Sequence, residues 1–189
     1  MTKVKKRRTL PGDHVPATSS NIKHIIRVNH AGEYGAKRIY QGQLAALKDD
    51  PETCTLIEHM AEQEDVHLKY FEDEIVKRQI RPTAFHPVWH LGGYAMGYIT
   101  GKMGKRAAMA CTVAVEEVIA NHYQSQIDAL EGDSSEKSLR TKIAQFKAEE
   151  EEHHDIGLDN DAELTKGYSV LSGAIKMISK GAIEVAKRF

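Results

Sequence analysis

The chain has 189 residues, enough for one domain with a substantial core and too few for two independent ones. Charged residues make up 28% and the net charge is −1, so no overall basic field argues for a nucleic-acid partner. Only Cys54 and Cys111 are present, without C-x-x-C spacing, and neither nucleotide-binding glycine motif occurs; this excludes a disulfide scaffold, a thiolate metal site and the usual nucleotide folds.

Residues 1–20 read as a disordered basic tail, with Pro11, Pro16 and five Lys or Arg between Lys3 and Arg8 that suit anionic lipid. The tail has no apolar core of a secretory signal. Residues 21–189 form a single domain in which nearly every segment carries a helical period. The first helix is predicted from about Asn21 to Lys48, where DDP stops it, and the second from Pro51 to Gln79, with Pro51 suited to a first turn. A third segment, FHPVWHLGGYAMGYITGKMG, covers 85–104. A fourth helix runs from about Lys105 to Leu130, and a fifth from a Ser134/Ser135 cap to about Ile156. A last amphipathic helix spans Asp161–Lys187, with Leu171, Ala174, Ile175, Ile178, Ala182 and Val185 on one face. Two hairpins with short turns and one longer connection predict an all-α, ferritin-like four-helix bundle with one long crossover.

The apolar stripes of these helices run through acidic residues. Ile57 and Met60 continue at steps of four and three to Glu64, His67 and Phe71. Leu139, Ile143 and Phe146 continue to Glu150, His153 and Gly157. Glu116 falls on the line of Met109, Val113, Ala120 and Tyr123, and Glu33 on the line of Ile26 and Tyr40. The pattern is an internal repeat: Glu33, Tyr40 and Glu64-x-x-His67, then Glu116, Tyr123 and Glu150-x-x-His153. A frame shift of one residue would select Glu151 and His154 instead. Four uncompensated carboxylates in a bundle core cost several kcal/mol each, of order 10 in total. Carboxylate and imidazole donors without thiolate suit iron or manganese, and two divalent ions would neutralise the four glutamates. One Glu from each of two helices and Glu-x-x-His from each of the other two is the ligand pattern of di-metal carboxylate bundles.

Thr83 to Gly101 contains no Asp, Glu, Lys or Arg, but its His, Pro and Gly residues make a poor membrane-spanning helix. Trp89, Tyr94 and Tyr98 suit a headgroup interface, and Gly93, Gly97 and Gly101 allow close helix approach. An interfacial helix dipping into one leaflet is the expectation, with a buried crossover as the alternative.

The stretches IIRVNHAGEYGAKRIYQGQLA (25–45), AMACTVAVEEVIANHY (108–123) and EEEEHHDIGLDNDAEL (149–164) closely resemble the demethoxyubiquinone hydroxylase family of ubiquinone biosynthesis, over residues 22–189. The resemblance implies a di-iron monooxygenase with two iron ions per chain, O2 as oxidant, and electrons from NADH or a reductase. It implies a polyprenyl benzoquinol substrate, membrane lipid as a contact, and a quinone-carrying partner protein. Family ligands match Glu33, Glu64, His67, Glu116, Glu150 and His153, with Glu64 and Glu150 bridging. Asn29 stands where the family usually has Asp, and Asn121 where a His is common. The expected location is the cytoplasmic face of a bacterial inner membrane, or else the matrix face of the mitochondrial inner membrane. The rival reading is a ferritin-like iron-binding protein or ferroxidase.

Overall fold

A computed structural model describes residues 18–188; the basic tail up to residue 17 lies outside them. Six α-helices are present among the described residues: α1 Ser20–Leu47, α2 Pro51–Arg78, α3 His86–Lys102, α4 Lys105–Ala129, α5 Lys137–Asp159 and α6 Tyr168–Arg188. Their ends follow from local chemistry. Ser19 accepts from Ile22 N to cap α1, and Asp50 accepts from Thr53 N to cap α2, with Pro51 in its first turn. α2 stops where Gln79 turns left-handed at φ 54°. The predicted cap at Ser134/Ser135 is displaced by one residue: the Asp133 side chain accepts from Ser135 N and opens a single 3-10 turn before α5.

α1 pairs with α2 and α4 with α5, as the short turns require, and the two hairpins form the ferritin-like bundle. Its interior is apolar at both ends. At one end Ile26, Phe71, Tyr123, Leu139 and Phe146 pack together. At the other, Tyr40, Ile57, Met60, Met109 and Val113 do so. The glutamates and histidines of the repeat lie between these clusters.

α3 is neither buried nor free. It lies along the outside of α1, glued by small residues: a Cβ on Gly97 would stand 1.9 Å from the Ile39 carbonyl oxygen, and one on Gly93 2.8 Å from that of Gly35. Its other side exposes Val88, Leu91 and Ile99. Among the described residues no helix is long and apolar enough to cross a membrane.

The last helix departs from its predicted start and face. Asp161 is left-handed (φ 65°), Ala162–Leu164 make one 3-10 turn, and Gly167 (φ 76°) redirects the chain, so α6 begins at Tyr168 rather than Asp161. The helix rests on α4 and α1 through Leu171, Ser172, Ile175 and Ala186; Leu171 and Ile175 belong to the expected face, whereas Ala174 and Ile178 of that face are exposed. Apolar residues occur on two sides of α6, and periodicity alone does not say which one the bundle covers.

Candidate metal centre

α1 and α4 each contribute one inward glutamate, Glu33 and Glu116; α2 and α5 each contribute a Glu-x-x-His pair, Glu64/His67 and Glu150/His153. All six are buried, with 0–1% of their surface exposed. They converge as two overlapping groups of ligand atoms, each within 4.8 Å: Glu33, Glu64, His67 and Glu150, and Glu64, Glu116, Glu150 and His153. Glu64 and Glu150 belong to both. His67 Nδ1 lies 3.2 Å from Glu150 Oε1 and 3.7 Å from Glu33 Oε2, and His153 Nδ1 lies 3.3 Å from Glu150 Oε2 and 3.4 Å from Glu64 Oε1. None of these approaches has hydrogen-bond geometry: both oxygens of Glu64 and Glu150, one of Glu33 and of Glu116, and both Nδ1 atoms are buried without a partner. Orphaned buried donors of this number are expensive, and a pair of cations at their common centre would satisfy them together.

The alternative frame fails on geometry. Glu151 is exposed and paired with Lys147, and His154 contacts Asp155 at the surface.

The repeated tyrosines cross over between halves. Tyr40 on α1 donates to Glu116 Oε1 at 2.7 Å, and Tyr123 on α4 donates to Glu33 Oε1. Each tyrosine thus uses one carboxylate oxygen and leaves the other aimed inward. Further out, Asn29 and Gln126 exchange two hydrogen bonds through their side-chain amides at 2.9 and 2.7 Å, tying α1 to α4 beside this pair. Gln126 also contacts His122. Asn121 takes no part; its amide turns back to the Glu117 carbonyl.

Two outer partners escaped sequence reasoning. Glu149 reaches His67 Nε2 at 2.5 Å, and Gln63 reaches His153 Nε2 at 2.7 Å. The stripe leaves Glu149 toward the flank or solvent. The available signal was positional: each residue immediately precedes the inward glutamate of its helix.

The electrostatics point to a cation. Burial pushes the carboxyls of Glu33, Glu64 and Glu116 above the ordinary range, and the charge of Glu150 adds to the shift in each. Burial acts the same way on Glu150, but the imidazoles of His153 and His67 outweigh it and hold it at about 2. Burial lowers both histidines, yet the facing carboxylates prevail and raise His67 to about 12 and His153 to about 10. Without metal, protons therefore do the neutralising. Metal binding displaces protons: at pH 7, below both values, His67 and His153 each give one up when Nδ1 binds the ion. Affinity for a divalent ion is accordingly expected to rise with pH through the neutral range. Adding Co(II) in weakly buffered solution with a pH indicator measures the release; loading without acidification would contradict the proton-filled site.

A family model described as Ubiquinone biosynthesis protein COQ7 matches residues 20–186. Over 179 residues the chain is 46% identical to the 3-demethoxyubiquinol 3-hydroxylase of Rhodospirillum rubrum, covering 95% of this chain and 82% of that protein. It is 48% identical over 170 residues to the mitochondrial NADPH-dependent 3-demethoxyubiquinone 3-hydroxylase of Mus musculus, covering 89% and 78%. The mitochondrial 5-demethoxyubiquinone hydroxylase of Saccharomyces cerevisiae is 37% identical over 186 residues, covering 91% and 80%. With the inward carboxylate–histidine repeat already in place, these matches show that the chain belongs to the COQ7 family of ubiquinone biosynthesis proteins.

Proposed function

We propose that the chain is a monooxygenase that hydroxylates a 3-demethoxyubiquinol, a 2-polyprenyl-3-methyl-6-methoxybenzoquinol, with two iron ions bound by Glu33, Glu64, His67, Glu116, Glu150 and His153. The observation that carries this reading is the set of buried, unpartnered donor atoms aimed at one centre. Glu33 and His67 would hold one ion, Glu116 and His153 the other, and Glu64 and Glu150 both. When bound, the irons supply O2 activation and the two-electron oxidation that no side chain here performs. The protein's own part is exclusion and orientation. Phe71, Phe146 and Ile26 close one end of the site against water, and Tyr40 and Tyr123 hold the glutamates that each ion has to itself. Electrons come from NADH, NADPH or a reductase; the name of the mouse relative specifies NADPH.

An apolar groove supports a polyprenyl substrate. It runs between α3 and α6 over α1 and α4, has a volume of about 210 Å³, and is lined by residues such as Val28, Ala36, Trp89, Met96, Val118 and Ile183. Gly32 lines the groove next to Glu33, and Val115 lines it next to Glu116, so substrate in the groove lies across a single helix layer from the proposed irons. The outer faces of α3 and α6 beside it expose Leu91 (70%), Ile99 (60%), Val170 (79%) and Met177 (71%), an extended apolar surface suited to one membrane leaflet. This surface supports a peripheral membrane position, on the cytoplasmic face of a bacterial inner membrane or the matrix face of a mitochondrial one. Iron storage, the rival reading, has no use for such a groove.

The test is the quinone profile of cells lacking the gene: a quinone lighter by one methoxy group should accumulate, and the gene should clear it. A normal profile would reject the hydroxylase. The groove has its own test. A Cβ on Gly32 meets nothing within 4 Å, so the Gly32→Leu branch point is accommodated, its side chain occupies groove space, and the helix gains roughly 1 kcal/mol of propensity. We expect a protein at least as stable as wild type, with normal iron content and at least about tenfold lower turnover from the filled groove. Full turnover would detach the groove from catalysis.

A further inference from the structure

The two halves of the centre match in their inward glutamates, histidines and tyrosines but differ in the outer partner of each histidine. In each half, the residue just before the Glu-x-x-His glutamate reaches across to the outer nitrogen of the other half's histidine. Gln63, before Glu64, accepts from His153 Nε2; Glu149, before Glu150, accepts from His67 Nε2. Both contacts put the ring proton on Nε2 and leave Nδ1, the partnerless atom, facing the carboxylates. They differ in charge. An amide oxygen is a neutral acceptor, whereas a carboxylate pulls harder on the N–H and makes the opposite nitrogen a stronger donor. Glu149 is itself held at 2.9 Å by the Gln145 amide, so the carboxylate is presented and not merely nearby.

Each unshared glutamate has one tyrosine partner, and Glu64 and Glu150 contribute to both groups. We propose that Glu149 and Gln63 are positioning residues that grade the two metal positions: the Glu33/His67 position fills first and holds its ion more tightly, and the Glu116/His153 position fills last and empties first. This rests on the di-metal reading above. Exchange of one ion at a time is the consequence, with the His153 side as the labile one.

The probe is Co(II), whose visible absorption reports its ligands, added stepwise to the full-length chain after chelator treatment and followed in parallel by calorimetry. Wild type should fill in two phases separated by at least about tenfold in affinity, the scale on which outer partners of ligating histidines act. Glu149→Gln should weaken the tight phase and bring the two within about threefold; Gln63→Glu should close the gap from the other side by strengthening the weak phase. Glu33→Gln should delete the tight phase and Glu116→Gln the weak one. Circular dichroism of each metal-free variant checks its fold, and if Glu149→Gln does not fold, Gln63→Glu alone decides. Two equal phases in wild type, an unchanged gap in Gln63→Glu, or loss of the weak phase in Glu33→Gln would overturn the grading and leave the di-metal site standing. No cobalt binding at all would overturn the di-metal reading itself.

Discussion

Replacing Glu150 with alanine is expected to abolish both hydroxylation and the stabilisation of the protein by iron. Glu150 stands within 3.2–3.3 Å of both inward histidine nitrogens, belongs to both ligand groups, and has neither oxygen satisfied by the protein. Its loss removes a donor from each proposed ion and the bridge between them. A folded-state ligand at a hundredfold excess over Kd stabilises by about 2.7 kcal/mol per site. For a chain of this size that is roughly 5–10 °C in Tm per site. Wild type should show this rise on adding Fe(II) without oxygen; Glu150→Ala should show none, and in the deletion strain it should leave the lighter quinone in place. Glu151→Ala is the matched control, because that side chain is exposed and its pairing with Lys147 is worth at most about 1 kcal/mol. It should keep iron, stability and activity. A Glu150→Ala protein that binds two irons and turns over would mean that the centre lies elsewhere.

That the control sits one residue away shows what the sequence made legible. Along α2 and α5 every residue on the predicted stripe, from Ile57 to Phe71 and from Leu139 to Gly157, is buried. Periodicity worked because a helix packed on one side must keep its inward line, and a glutamate on that line has nowhere else to go. The crossed tyrosines were not legible in the same way. Tyr40 lies seven residues after Glu33 on its own helix but bonds to Glu116 on another. Spacing reports what shares a face; it does not report what lies opposite. Glu149 and Gln63 were missed for a related reason. They sit beside the stripe, where a side chain can turn to solvent or reach across, and the neighbouring helix decides.

The outer helices show the limit more plainly. α6 carries apolar residues on two sides, one against α4 and one facing out, so its pattern fitted two rotations. In α3 the absence of charge favoured an interfacial helix and left a buried crossover as the alternative. The structure gives it one buried side, formed by Gly97, Thr100 and Gly101. Hydrophobicity scales assign glycine little weight, yet here it decides how close two backbones come.

That closeness gives the second large effect. Alanine at Gly97 would put its Cβ 1.9 Å from the Ile39 carbonyl oxygen and 2.7 Å from the carbonyl carbon, both backbone atoms that no rotamer change can move. The helices must separate. Overpacking of this kind typically costs about 1–3 kcal/mol, occasionally more. The roughly 1 kcal/mol of helix propensity that alanine brings offsets part of it. With contacts this short the cost falls at the upper end of that range, and a net loss of about 2 kcal/mol lowers Tm by roughly 4–8 °C for a chain of this size. The local effect should be larger than the global one, because α3 leans chiefly on α1 and carries none of the six proposed ligands. Its backbone amides should lose protection from hydrogen exchange while those of α2 and α5 keep theirs. Iron content should therefore stay normal while turnover collapses, since Trp89, Gly93 and Met96 form one wall of the groove. Gly92→Ala, where the new methyl group meets nothing within 4 Å, should leave α3 protected. If Gly97→Ala melts like wild type with α3 still protected, the glycine contact does not hold the helix. If α3 loosens and turnover survives, the wall it forms is not where the substrate lies.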